Sequence, residues 1–267
     1  MRNGIRLGLL GLAAATCLAG RPVLAEPATD EVVEAQIAAL GATLDERAAA
    51  ALGRIDGAGR RLLALRAYLR GSHNLAERWS WSEEQIRAYE GSAEQRDLQQ
   101  EIERVRAEFV VANPGYEIWV NPQVRSLDVQ LDHWNGNASI EQAGAGLLDA
   151  LKAYLATPQY AQLSGAKAQS AVEQFLRSHE PTPVPPLAAP GLSPHGQMRA
   201  VDFQVHQGAS VVAGPSTESI ARDWDAGGWA QRLDSAVRVA GQRFVGPLEH
   251  PREPWHYTFT PERVGAN

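Results

Sequence analysis

The chain has 267 residues, enough for one large domain or two small ones. With 44% hydrophobic and 21% charged residues, it has the makeup of a globular protein rather than a disordered or fibrous one. A formal charge of −6, with no basic stripe interleaved with aromatics, excludes the electrostatic footprint of a nucleic-acid binder.

The first 25 residues read as a secretory signal peptide. Arg2 and Arg6 give a positive start and residues 7–19 an apolar stretch too short to span a bilayer comfortably. Val23-Leu24-Ala25 offers small residues before a cut. The expected product is exported, periplasmic or extracellular, without a transmembrane span, and it lacks Cys17, the only cysteine. Acylation of Cys17 as a lipoprotein is the rival reading, and Thr16 directly before it fits such signals poorly.

Residues 26–112 read as a helical arm or subdomain. Thr29 or Asp30 can cap a first helix in which Val33, Ile37, Leu40, Leu44 and Ala48 recur at helical spacing until Gly57–Gly59. A second helix over 60–69 carries four leucines. Ser82-Glu83-Glu84-Gln85 and Ser92-Ala93-Glu94-Gln95 have the form of capping boxes. The latter opens a helix to about Val111 with Leu98, Ile102, Val105 and Phe109 along one face. Glu101, Arg104 and Glu108 read as its solvated charges.

Asn113-Pro114-Gly115 turns the chain into an alternating strand over 116–120. Arg125-Ser126-Leu127-Asp128-Val129-Gln130 follows. Taken alone, Arg125 could form a surface ion pair with Asp128 or Asp132. Its planar, permanently charged fork equally suits a carboxylate ligand. A third capping box, Ser139-Ile140-Glu141-Gln142, opens a helix to about Tyr154, and residues 166–178 read as another. Together, 139–178 look like a helical insertion. A stiff proline-rich connector, 180–190, comes next, either a wall beside a cleft or a plain linker.

Ser193-Pro194-His195-Gly196-Gln197-Met198-Arg199-Ala200-Val201-Asp202 then places a His and an Asp seven residues apart, across a bend that opens into a strand. Short strands are expected over 203–205 and 210–212, joined around Gln207-Gly208. An inward-facing helix should cover 230–240, with further strands at 244–246 and 255–259. Glu253-Pro254-Trp255-His256 lies at the start of the last strand, and Pro254 keeps that stretch from being a regular helix. The two stretches supply two imidazoles, a carboxylate and a spare carboxylate. A catalytic zinc site needs three N/O ligands and a general base nearby. The remaining histidines (73, 133, 179, 206 and 250) read as surface or satisfied core residues. No Walker loop, nucleophile elbow or dinucleotide fingerprint is present, and a serine hydrolase on Ser193 has no glycine elbow to support it.

The pattern Ser-x-His-x-x-Gly-x-Ala-x-Asp followed by Glu-x-x-His resembles the zinc D-alanyl-D-alanine peptidases, the VanY-like (LAS-type) carboxypeptidases and dipeptidases. Ser193, His195, Ala200 and Asp202 match it, and Met198 stands where that family has Gly. The resemblance covers roughly residues 113–259. It implies that His195, Asp202 and His256 hold Zn²⁺, that Glu253 is the catalytic base, and that Arg125 reaches a substrate carboxylate or polarised carbonyl. It also implies cell-wall (peptidoglycan) peptides as substrate, cut at a D-alanyl bond. Gln130 belongs to the Arg-Ser-x-x-x-Gln element of the same family. Gln130, Ser193 and Trp255 are further candidates for lining the substrate site. The expected architecture is α+β: helices first, then a mainly antiparallel sheet carrying the metal, with 113–267 as the peptidase domain. The alternatives are a peptidoglycan endopeptidase, or an inert wall-binding or scaffold protein on the same fold, for which Met198 is the local argument.

Overall fold

The computed structural model describes residues 28–261; the leader and Cys17 lie outside the described residues. The fold is α+β, with helices mostly in the N-terminal part and an antiparallel sheet after them.

The first helix expected from periodicity is two: α1 (Asp30–Gly41) and α2 (Glu46–Leu52). The break falls where the Asp45 side chain accepts from the Arg47 N–H and starts α2 afresh. Then come α3 (Ala58–Arg70), the short α4 (Leu75–Arg78), α5 (Glu83–Tyr89) and α6 (Ala93–Ala112). Ser82 and Gln85 form the full capping box on α5. On α6, Ser92 accepts from Gln95 N while Gln95 turns back to Gly91 N instead. After β1 (Glu117–Val120) follow α7 (Leu127–Gly136), α8 (Ala138–Leu155), α9 (Pro158–Ala161) and α10 (Gly165–Ser178). The N-cap of α8 is Asn137, accepting from Ile140 N, rather than Ser139.

The remaining strands are β2 (Ala200–Gln207), β3 (Ser210–Ala213), β4 (Phe244–Val245) and β5 (His256–Phe259), and α11 (Trp229–Ala240) precedes β4. All pairings are antiparallel. β2 is central, with β1 on one side and both β5 and β3 on the other; β4 closes on β5.

Two apolar cores divide the molecule, and not at residue 112. The first joins α1–α4 to α7–α10, through residues such as Leu62, Leu65, Trp134, Leu147 and Val172. The second joins α6 and α11 to one face of the sheet, through Val105, Phe109, Phe203, Leu233 and Tyr257. The helices expected as an arm and those expected as an insertion thus pack together, and α6 belongs with the sheet. Periodicity shows that a helix has an apolar face but not which element covers it.

In the helical core, α3 and α8 touch backbone to backbone at Gly59 and Gly144. A Cβ on either would lie 2.6–2.7 Å from the other's carbonyl carbon. In the sheet core, Glu101 corrects the reading of α6: it is fully buried, on the same face as Leu98 and Val105. Its carboxylate accepts the Arg243 backbone N–H at 2.8 Å and Arg243 Nε at 3.4 Å, and it also pairs with Arg104. This knot ties α6 to the start of β4.

Candidate metal centre

The sheet has one face in the second core and one open. Ile118, Val120, Val201, Phe203 and Val205 point into the core. By the alternation of a strand, Trp119, Asp202, Gln204, His206 and His256 share the other face. The register sets Asp202 directly across from His256. His195 arrives from the 3-10 turn Pro194–Gln197, which precedes β2.

The three residues bring one atom each to a common point. His256 Nδ1 lies 3.0 Å from Asp202 Oδ1, His195 Nε2 lies 3.4 Å from the same oxygen, and the two ring nitrogens are 3.3 Å apart. The rings meet edge to face, 74° between planes. A four-coordinate Zn²⁺ with ligands at roughly 2.0–2.1 Å separates its donors by about 3.3 Å. The triangle therefore has the size of one face of that tetrahedron, and its donor set, two imidazoles and a carboxylate, is chemically suited to a metal ion. All three residues are largely shielded, with side-chain exposures of 10–16%.

Electrostatics favour the ligand forms. Burial pushes the Asp202 carboxyl up, but hydrogen bonds with His195 and His256 outweigh it and hold the group far below the usual carboxylate range. Burial lowers the His195 imidazole and so favours the neutral ring, against the opposing pull of Asp202. Glu253 stands beside the triangle, its Oε2 3.7 Å from His256 Nδ1. Its burial raises the carboxyl, with His256 and Arg125 opposing and Asp202 adding to the rise.

Arg125 does not pair with Asp128, which Arg54 holds at 2.6 Å. Its Nη2 donates to Asp202 Oδ2 at 3.1 Å, so one carboxylate faces the histidines with one oxygen and the guanidinium with the other. The Arg125 side chain is 31% exposed, and its backbone N–H donates to the His195 carbonyl. Outer partners of this kind orient a ligating carboxylate.

Three of the residues expected to line a substrate site lie behind it. Gln130 is buried, and its amide is spent on structure. It donates to Ser80 Oγ and to the Arg125 carbonyl, both at 2.7 Å, and accepts from Gly191 N at 2.9 Å. Gln130 thus fixes the loops that carry Arg125 and His195 instead of meeting a ligand. Gly196 fits against this knot, since a Cβ there would lie 2.1 Å from Ser80 Oγ. Trp255 is buried in the second core, 5.9 Å from the Trp224 ring. Ser193 is also buried, its carbonyl accepting from Gly196 N, and shapes the turn that carries His195. Ser80 and the pair Arg252–Asp225 were not anticipated. Arg252 donates to both Asp225 oxygens, at 3.2 and 2.6 Å, and pins the loop beside Glu253. Both are long-range contacts with no local signature.

Met198 is the one described non-glycine residue with positive φ (49°), and it ends the turn of His195. The position where the resembling family holds Gly is left-handed in this chain, with a side chain in a region that favours glycine. The proline-rich connector is fastened at both ends. Arg66 and Arg70 hold Glu180, while Tyr68 donates to the Pro190 carbonyl.

Compared with protein-family models, curated proteins and solved structures, the chain matches none.

Proposed function

We propose that this protein is an exported zinc metallopeptidase acting on D-alanyl bonds of cell-wall peptides, as a carboxypeptidase. The observation that carries the chemistry is the His195–Asp202–His256 triangle, with the largely shielded carboxylate of Glu253 beside it, from the loop that enters β5. The sequence resemblance carries the choice of zinc, of substrate and of export.

His195 Nε2, Asp202 Oδ1 and His256 Nδ1 are the donors that would hold the ion. Bound there, zinc would supply Lewis acidity, polarising a carbonyl and lowering the pKa of water from 15.7 to about 7. Glu253, made more basic by the burial that raises its carboxyl, takes the proton of the attacking water and returns it to the leaving amine. Arg125 holds Asp202 through one corner of its guanidinium, and its exposed remainder offers a fork to the substrate's terminal carboxylate.

The test is metal content together with turnover. Purified protein should carry about one zinc per chain and release the C-terminal residue of a D-alanyl-D-alanine peptide. His195→Ala, Asp202→Ala and His256→Ala should each lose the metal. Glu253→Gln should keep the metal and lose at least ~10² in rate. Turnover by a fully metal-free preparation, or zinc loss in Glu253→Gln, would refute these assignments.

A further inference from the structure

The open sheet face continues well past the metal triangle. Gln204 lies two residues along β2 from Asp202 and His206 four, about 7 and 13 Å at the rise of a strand. Trp119 stands across from Gln204 and Glu117 across from His206, both on β1. Trp119 is 42% exposed, an unusual position for an indole with a core on the other side of its strand. Its ring centre is 6.3 Å from that of His206, tilted by 46°. His206 Nε2 in turn lies 3.2 Å from Gln204 Oε1. Glu117 is exposed and makes no ion pair among the described residues.

At the metal end Arg125 is already held by Asp202, while at the far end Glu117 is an exposed carboxylate without an ion pair among the described residues, two residues from Trp119 on the same face of β1. An aromatic face next to an unpaired carboxylate is the chemistry that takes an ammonium group: the ring quadrupole attracts the cation and the carboxylate completes the pair. We propose that Trp119, Glu117 and Gln204 form a substrate subsite for an ammonium-bearing side chain, two to four residues along an extended peptide from the bond at the metal. The subsite is continuous with the metal centre, on the same face and on adjoining strands. The ligand's being a peptide rests on the peptidase reading; the cation preference does not.

The test separates the two. Short D-alanyl-D-alanine peptides carry lysine, Nε-acetyl-lysine or norleucine two, three or four residues before the C-terminal residue. Their binding is measured by calorimetry on Glu253→Gln, and their hydrolysis on the wild type. At one of these positions the lysine peptide should bind about tenfold more tightly than the other two. Trp119→Leu and Glu117→Gln should each remove most of that advantage, and Trp119→Phe should restore part of it. Both positions are exposed, so neither change threatens the fold. Equal binding of all three peptides, or no binding at all, overturns the subsite. A norleucine peptide that binds as well as the lysine one also overturns it, making the indole a plain apolar platform. So does a lysine preference that survives Trp119→Leu. Lysine-selective binding without any hydrolysis counts against the peptidase chemistry and leaves the subsite standing. Hydrolysis with no lysine preference does the reverse.

Discussion

Met198 offers a test in which the usual order of two substitutions should invert. Its φ of 49° puts an L side chain in the left-handed region, which costs roughly 1–2 kcal/mol relative to glycine. Its side chain is 4% exposed and packs in the sheet core, so truncation should cost about 2–5 kcal/mol. Met198→Ala and Met198→Gly both lose that packing, and only glycine relieves the backbone. Elsewhere glycine is the less stable of the two by about 0.4–1 kcal/mol, through the entropy of the unfolded chain. Subtracting the midpoint of this range from the midpoint of the left-handed penalty leaves Met198→Gly more stable than Met198→Ala by about 0.8 kcal/mol. Urea denaturation of metal-saturated wild type and both variants, with equal slopes, reads the difference directly. Both variants should lie below wild type. An alanine variant as stable as the glycine one would refute the argument that the turn between His195 and Asp202 is strained.

Arg125→Ala should act in two separable ways. Loss of the contact to Asp202 should weaken metal binding by roughly 10–100-fold, read by competition with a chelator. In metal-saturated protein kcat/KM should fall by about 2–5 kcal/mol, with Arg125→Lys recovering only part. On the proposed carboxypeptidase reading, amidating the substrate's C-terminus should then harm wild type and add little to Arg125→Ala; equal behaviour of amidated and free substrates would favour the endopeptidase reading instead. Glu101→Ala leaves the Arg243 N–H and guanidinium facing a vacated acceptor and should cost about 3–5 kcal/mol of stability by urea denaturation; a loss under about 1 kcal/mol would mean the buried knot contributes nothing. Gly144→Ala drives a Cβ to 2.7 Å from the Gly59 backbone and should cost about 1–3 kcal/mol, whereas Gly136→Ala, which meets nothing within 4 Å, should be neutral or stabilising; equal effects would refute the close contact of α3 and α8.

The candidate metal-holding group was legible in the chain because it depends on residue type and short spacing. His195 and Asp202 are seven residues apart and Glu253 and His256 three, and Pro254 already forbade the helical form of the second pair. The α+β order was legible too, since it follows from which periods occur where. Pairing was not. That Asp202 meets His256 across a ladder, and that Arg125 takes the free oxygen of Asp202, are contacts between residues 54 and 77 positions apart. The same limit explains Gln130 and Trp255. Trp255 adjoins His256 and Gln130 follows Arg125 by five positions, yet their side chains turn to Trp224 and to Ser80 and Gly191 respectively. Glu101 looked solvated because charge is normally excluded from a core; Arg243, arriving from far along the chain, joins Arg104 in making its burial tolerable. The grouping of helices was decided in the same way. An apolar stripe states that burial is needed, and the partner that provides it is chosen by the folded chain as a whole. So the sequence by itself determined the candidate metal-holding groups and the kinds of element that carry them. Tertiary structure decided their mutual distances, their outer partners and which face of the sheet is left open to a ligand, because these depend on non-local packing that no local pattern records.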